Sequence, residues 1–232
     1  MLALLADWGE LAAALTLFLA SHAIPARPPV RSALIGAVGR PAYFIGYSVV
    51  SLVILGWLIA AAGSAPYVEL WPREDWQTLV PSAGMLGATI LAVFALTTPN
   101  PLSLAPRGAK RFDPERPGIA GFVRHPILWA TLLWSGTHIV PNGDVSHVVM
   151  FGLFALLSVG GMVMLDRRKQ RRLGQTEWRE MARRTSNWPL VGLARGWRPR
   201  PDLGSVIRVA AGVAVYALLM ATHGIFAGVP LI

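Results

Sequence analysis

Six stretches of this chain are apolar for about the length of a membrane-crossing helix, and nothing else limits its fold as tightly. They run roughly over residues 3–23, 42–63, 80–98, 122–140, 145–165 and 205–229. At a rise of about 1.5 Å per residue, about 20 residues match the ~30 Å hydrocarbon layer of a bilayer. That layer offers backbone amides no partner, so only helices and closed barrels cross it. The runs are continuous rather than alternating, which predicts an all-α, polytopic membrane helical bundle of about six transmembrane helices. Charge usage agrees: 54% of the 232 residues are apolar and only 14% are charged, against roughly 25% charged in soluble domains.

The formal charge of +9 would suggest nucleic acid in a soluble chain. Here the basic residues lie between the apolar runs, so the partner expected is the lipid bilayer and no nucleic acid. Arg27, Arg31 and Arg40 follow the first run; Arg107, Lys110, Arg111 and Arg116 follow the third; eleven Lys and Arg lie between Arg167 and Arg200. The segment after the second run is acidic on balance (Glu69, Arg73, Glu74, Asp75), and the Pro141-Asn142-Gly143-Asp144 turn carries only Asp144. The positive-inside rule then places three basic loops in the cytoplasm and both termini outside. No cleavable signal peptide is expected, because Asp7 and Glu10 come early and no basic n-region precedes them.

The chain reads as a single membrane domain over 1–232, with 166–203 as its one large non-membrane segment. Within it, DRRKQRRLGQTEWREMARRTSNWP reads as a basic extension of the fifth helix, a break at Gly174 and a short amphipathic helix. Trp178, Met181 and Trp188 are expected at the membrane surface, with arginines meeting anionic headgroups.

There is no cysteine, which excludes disulfides, thiolate metal sites and cysteine nucleophiles. No Gly-rich phosphate loop, HExxH or GxSxG occurs, and no span holds paired carboxylates. Histidine is what remains: His22, His125 and His138 lie in or at the ends of apolar runs, where an imidazole is costly to leave unpaired. A metal or haem site is the sharp reading. The plain one is that His22 caps or borders its helix, that Arg124-His125-Pro126 is a helix start, and that His138 is an interfacial residue bonded near Asn142.

Pro126 suits a first helical turn, so Arg124 and His125 sit at a helix N-terminus, a natural anion site for a phosphate or a haem propionate. His138 lies thirteen residues beyond His125, about 20 Å along a helix, so these two do not share a metal. Topology pairs His22 with His125; pairing His22 with His138 needs the first helix tilted or shifted outward, which Asp7 and Glu10 permit. His147 and His223 read as packing residues, and Asp166 as an ion-pair partner of Arg124 or Arg31.

The segments SHAIPARPPVR, GRPAYFIGYSVVSLVILGWLI, APYVELW, PNPLS, GIAGFVRHPILWATLLWSGTHIVPNGD and LDRRKQRRLG together resemble the NnrU family of integral membrane proteins, over about residues 15–190. The resemblance implies a bacterial inner (cytoplasmic) membrane protein associated with denitrification, through nitrite and nitric oxide reductase activity or expression. The same family includes the plant 15-cis-zeta-carotene isomerase, a haem b protein with histidine axial ligands. That enzyme resembles this chain around His22, His125 and His138 and in RRTSNWP.

Carried over by motif, the haem ligands fall on His22 and His138, whereas topology favours His22 with His125; the second ligand stays open between them. Arg124, Arg27 and Arg31 are the cations for propionates. Where the plant enzyme has a cysteine beside its last histidine motif, this chain has Ser135. The expected function is a haem b membrane protein with a redox, sensing or assembly role. The alternatives are a haem-dependent carotenoid isomerase acting on a lipophilic polyene substrate, and a non-enzymatic scaffold docking a partner or anionic lipid through 166–203. The RHP-to-basic-tail layout is also similar to membrane methyltransferases, but their late acidic and Gly-rich elements are missing here.

Overall fold

A computed structural model describes residues 2–104 and 111–227, with side chains from residue 8 to 104 and 111 to 225. Arg107 and Lys110 of the expected basic loop, and the Asp7 side chain, lie outside the described residues. The described chain is helical, and no strand occurs in it. It divides into two compact units: residues 1–72 with 142–150, and 73–141 with 151–232.

In the first unit, α1 (Leu2–Ala23) packs on α3 (Arg40–Ser64). Leu11, Ala14 and Phe18 are buried on α1, and Ile54, Leu58, Ala61 and Ala62 on α3. The i, i+3/i+4, i+7 spacing puts each set on one helix face. Trp57 Nε1 donates to Glu10 Oε1 at 3.0 Å, tying the same two helices by a polar contact.

Between them the expected loop is itself a helix, α2 (Pro28–Val38), which leaves the direction of α1 by 80°. Pro28 and Pro29 explain the break, since Pro is excluded from a helix interior but opens a new helix well. Gly39, at φ 81°, lets the chain turn from α2 into α3. The turn before α7 (Val145–Leu173) is fixed by an isolated bridge between Glu69 and Asp144. Gly143 accepts from Leu70 N–H at 2.7 Å.

In the second unit, α4 (Leu79–Thr97) is central, packed against α6 (Pro126–Ile139) and α10 (Leu203–Ala227). Ala88, Leu91, Val123 and Ala130 form the buried cluster between α4 and the start of α6. The short α5 (Ile119–Phe122) packs on α9 (Val191–Ala194), and α8 (Gln175–Ala182) follows α7 across Gly174, as the sequence predicts.

Among the described residues, four helices are long and apolar enough to cross a membrane, or five if the bent α1–α2 pair forms one span. The second, third, fifth and sixth expected spans correspond to these helices. The fourth does not: 122–140 becomes α5, a non-helical Val123–His125 and a 14-residue α6, about 21 Å long. Pro126 is the reason, since a residue before proline is pushed out of the α region, and His125 has φ −119°.

Candidate functional site

His22 and His138 share one local geometry. Each ring Nδ1 lies 2.7 Å from the backbone carbonyl four residues earlier, Phe18 O for His22 and Trp134 O for His138. A carbonyl only accepts, so Nδ1 carries a proton in both rings. Imidazole that ligates a metal is set up in this way, with one nitrogen donating to a fixed oxygen and the other presented to the ion. His22 is also sandwiched by aromatics, with ring centroids 4.2 Å from Phe18 and 5.9 Å from Tyr47. His138 lies beside Phe151, at 5.4 Å, and Trp134.

His125 is different. It is fully buried, and its Nε2 donates to Asp166 Oδ1 at 3.0 Å. The same carboxylate accepts from Arg124 Nη1 at 2.5 Å and from Asn187 Nδ2 at 2.8 Å. Arg124 is buried as well. Its Nε donates to Thr185 Oγ1 at 2.8 Å, and its backbone N–H to Ser186 O at 2.6 Å. Asn100 Nδ2 reaches Arg124 O, and Trp129 Nε1 reaches Asn187 O. The non-helical backbone at 123–125 makes this possible, because it leaves the Arg124 N–H and carbonyl for partners outside the helix.

The network therefore joins the start of α6, the end of α7 and the Thr185–Asn187 stretch. A buried charge survives only when paired and hydrogen-bonded, and here the donors of Arg124 meet Asp166, Thr185 and Ser186. The anion site expected from Arg124 at the helix N-terminus does not form with its guanidinium; that group faces Asp166, the partner the sequence suggested. Trp178, expected at the membrane surface, instead lies under Arg124, whose Cζ is 5.2 Å from the ring centroid. The His125 Nδ1 has no hydrogen-bond partner.

Arg27 and Arg31 belong to the α1–α2 bend just after His22. Arg31 lies over the rings of Tyr43 and Phe44, at 6.0 and 5.5 Å. His147 stands apart, its Nδ1 on Asp144 at 2.8 Å. Burial raises the Asp144 carboxyl, but hydrogen bonds from Ser146 and His147 outweigh it and hold the group below its ordinary value.

No cluster of three or more metal-ligating side chains occurs among the described residues.

A family model described as NnrU protein matches residues 10–231. The chain belongs to the NnrU family. No curated protein and no solved structure matches it. The NnrU match spans both units and all three apolar histidines. Sequence reasoning missed the roles of Asn100, Thr185, Ser186 and Asn187. They lie 24 to 63 residues from Arg124, and helical periodicity does not connect such distances. The one signal was the polar TSN triplet inside an arginine- and tryptophan-rich segment, too polar for a span and too short for a helix.

Proposed function

We propose that this NnrU-family protein binds haem b, with His22 and His138 as the histidines that would serve as its ligands. It would serve a redox, sensing or assembly role linked to nitrite and nitric oxide reduction in the bacterial inner membrane. The observation that carries the reading is the shared hydrogen bond from Nδ1 to the backbone carbonyl four residues earlier. Both rings donate from Nδ1, whereas His125 donates from Nε2 to Asp166.

When bound, haem b supplies a one-electron couple, and two imidazole ligands leave it no open coordination position. The chain's own contributions are specific. The Phe18 and Trp134 carbonyls orient the two rings and raise their basicity by accepting from Nδ1–H. Phe18 and Phe151 wall the rings with apolar surface. Arg27 and Arg31 would be the cations for propionates on the unit that bears His22. Arg124 is not one of them, since Asp166 and Thr185 occupy its guanidinium.

The test is anaerobic growth of a bacterium that requires its NnrU protein for nitrite consumption, complemented with this chain and its variants. Wild type and His125→Gln restore nitrite consumption, while His22→Ala and His138→Ala, present at equal membrane levels, do not. Full restoration by either of those two variants overturns the reading. Conversion of 15-cis-zeta-carotene by the haem-loaded protein would reassign the role from electron handling to isomerisation.

A further inference from the structure

Most exposed apolar side chains of this chain lie on membrane-length helices, where lipid accounts for them. Trp188, Leu190, Val191 and Leu193 do not. They are 63%, 60%, 42% and 38% exposed, and they lie between α8 and α10, beyond any span. We propose that this loop is a membrane-inserting wedge, and that what it binds is the interface of an anionic phospholipid leaflet.

Three observations carry the proposal. First, the loop is built to hold those side chains outward. Its inner flank, Thr185 to Asn187, is locked to Arg124, Trp129 and Asp166. Gly192 is buried against the carbonyl of Gly121, a contact that leaves no room for a Cβ, and Trp197 closes over Phe122 with ring centroids 6.2 Å apart. One side of residues 185–197 is therefore fixed in protein, and the other shows four large apolar groups.

Second, Leu190 has φ 65° and ψ −21°, the one non-glycine residue with positive φ among the described residues. A leucine adopts this left-handed conformation at a cost, and such strain marks positions held for a purpose other than packing. Here it turns the chain so that Trp188 and Leu190 both stay exposed.

Third, the surroundings match a bilayer surface in charge and place. Arg179, Arg195, Arg198 and Arg200 are exposed, Arg183 and Arg184 pair with Glu115, and Glu177 and Glu180 are the only acids between residues 167 and 200. The segment is tied at one end to α7 and at the other to α10, both of membrane-spanning length and apolarity, so it stays beside the membrane face where α7 ends and α10 begins. Exposed tryptophan and leucine rimmed by arginine is the composition that lies in a headgroup layer. The wedge is this loop and not α8, whose Trp178 has its Nε1 buried.

Because the chain contains no cysteine, single cysteines report cleanly. Trp188→Cys, Leu190→Cys and Leu193→Cys are prepared in the full chain, spin-labelled, and reconstituted in phosphatidylcholine vesicles with and without phosphatidylglycerol. Leu218→Cys, exposed on α10, gives the lipid-facing reference. At the three loop positions, collisions with oxygen exceed those with a water-soluble nickel complex several-fold, as at Leu218, and the excess grows with phosphatidylglycerol. Free access of the nickel complex in both vesicles overturns the proposal, and so does shielding from both reagents, which would indicate a protein partner. Equal immersion in the two vesicle types overturns the part assigned to the arginines. Val191→Cys reports the same surface if any one variant is not monodisperse.

Discussion

Replacing Asp166 with alanine should be among the most damaging single changes available in this chain. The carboxylate accepts from Arg124 Nη1, His125 Nε2 and Asn187 Nδ2. Truncation strands a guanidinium that is 4% exposed and an imidazole that is fully buried. Breaking a buried ion pair by deleting one partner costs about 3–5 kcal/mol, and a stranded neutral donor about 1–3 kcal/mol. Arg124 keeps Thr185 Oγ1, which holds the total near about 4 kcal/mol, a large share of a typical stability of about 5–15 kcal/mol. The readout is thermal loss of the monodisperse species in detergent, together with tryptic cleavage at Arg183, Arg184 and Arg195. Asp166→Ala should melt earlier and be cut faster, because Thr185–Asn187 lose their anchor. Arg124→Met with Asp166→Leu should be milder than the two single changes added together, since no charge is left stranded. Strict additivity, or an Asp166→Ala protein as stable as wild type, would refute the idea that this network holds the 183–197 segment.

Gly192→Ala should destabilise by about 1–3 kcal/mol through overpacking, since its Cβ meets the Gly121 carbonyl; faster proteolysis of 190–198 checks it. Gly84→Ala should displace Thr137, whose Cγ2 would lie 2.5 Å from the new Cβ, and with it the neighbouring His138; a lower melting temperature and reduced haem content are the expected results. Asp144 is held below its ordinary value when folded, so its contribution is present above the unfolded carboxylate pKa of roughly 3.9 and fades as pH falls through the folded value. Asp144→Asn should therefore flatten the acid limb of the stability profile below about pH 4 while leaving the neutral region's slope unchanged.

The long spans were legible because burial in hydrocarbon leaves a plain mark, some twenty apolar residues in a row. α3, α4, α7 and α10 fall where the apolar runs are, and Gly174 breaks α7 from α8 as its composition suggests. The 122–140 run misled for a local reason. Composition there is apolar enough for a span, but Pro126 and the need to pair Arg124 override it and leave a 14-residue helix. Asp166 with Arg124 could be guessed from charge alone. That His125 shares the same carboxylate could not, because the two residues are 41 positions apart. The same contact separates His125 from His22 and His138, a distinction that sequence spacing left open.

The central claim, that His22 and His138 are the residues prepared for iron, is tested most directly by a pyridine haemochrome assay with oxidised and dithionite-reduced spectra. Purified wild type, His22→Ala, His138→Ala and His125→Gln would be compared at matched protein concentration. The account predicts stoichiometric b-type haem with sharp reduced bands in wild type and His125→Gln, and loss or a high-spin spectrum in the other two. A protein that stays colourless after haem supplementation, or undiminished low-spin haem in His22→Ala or His138→Ala, would contradict it.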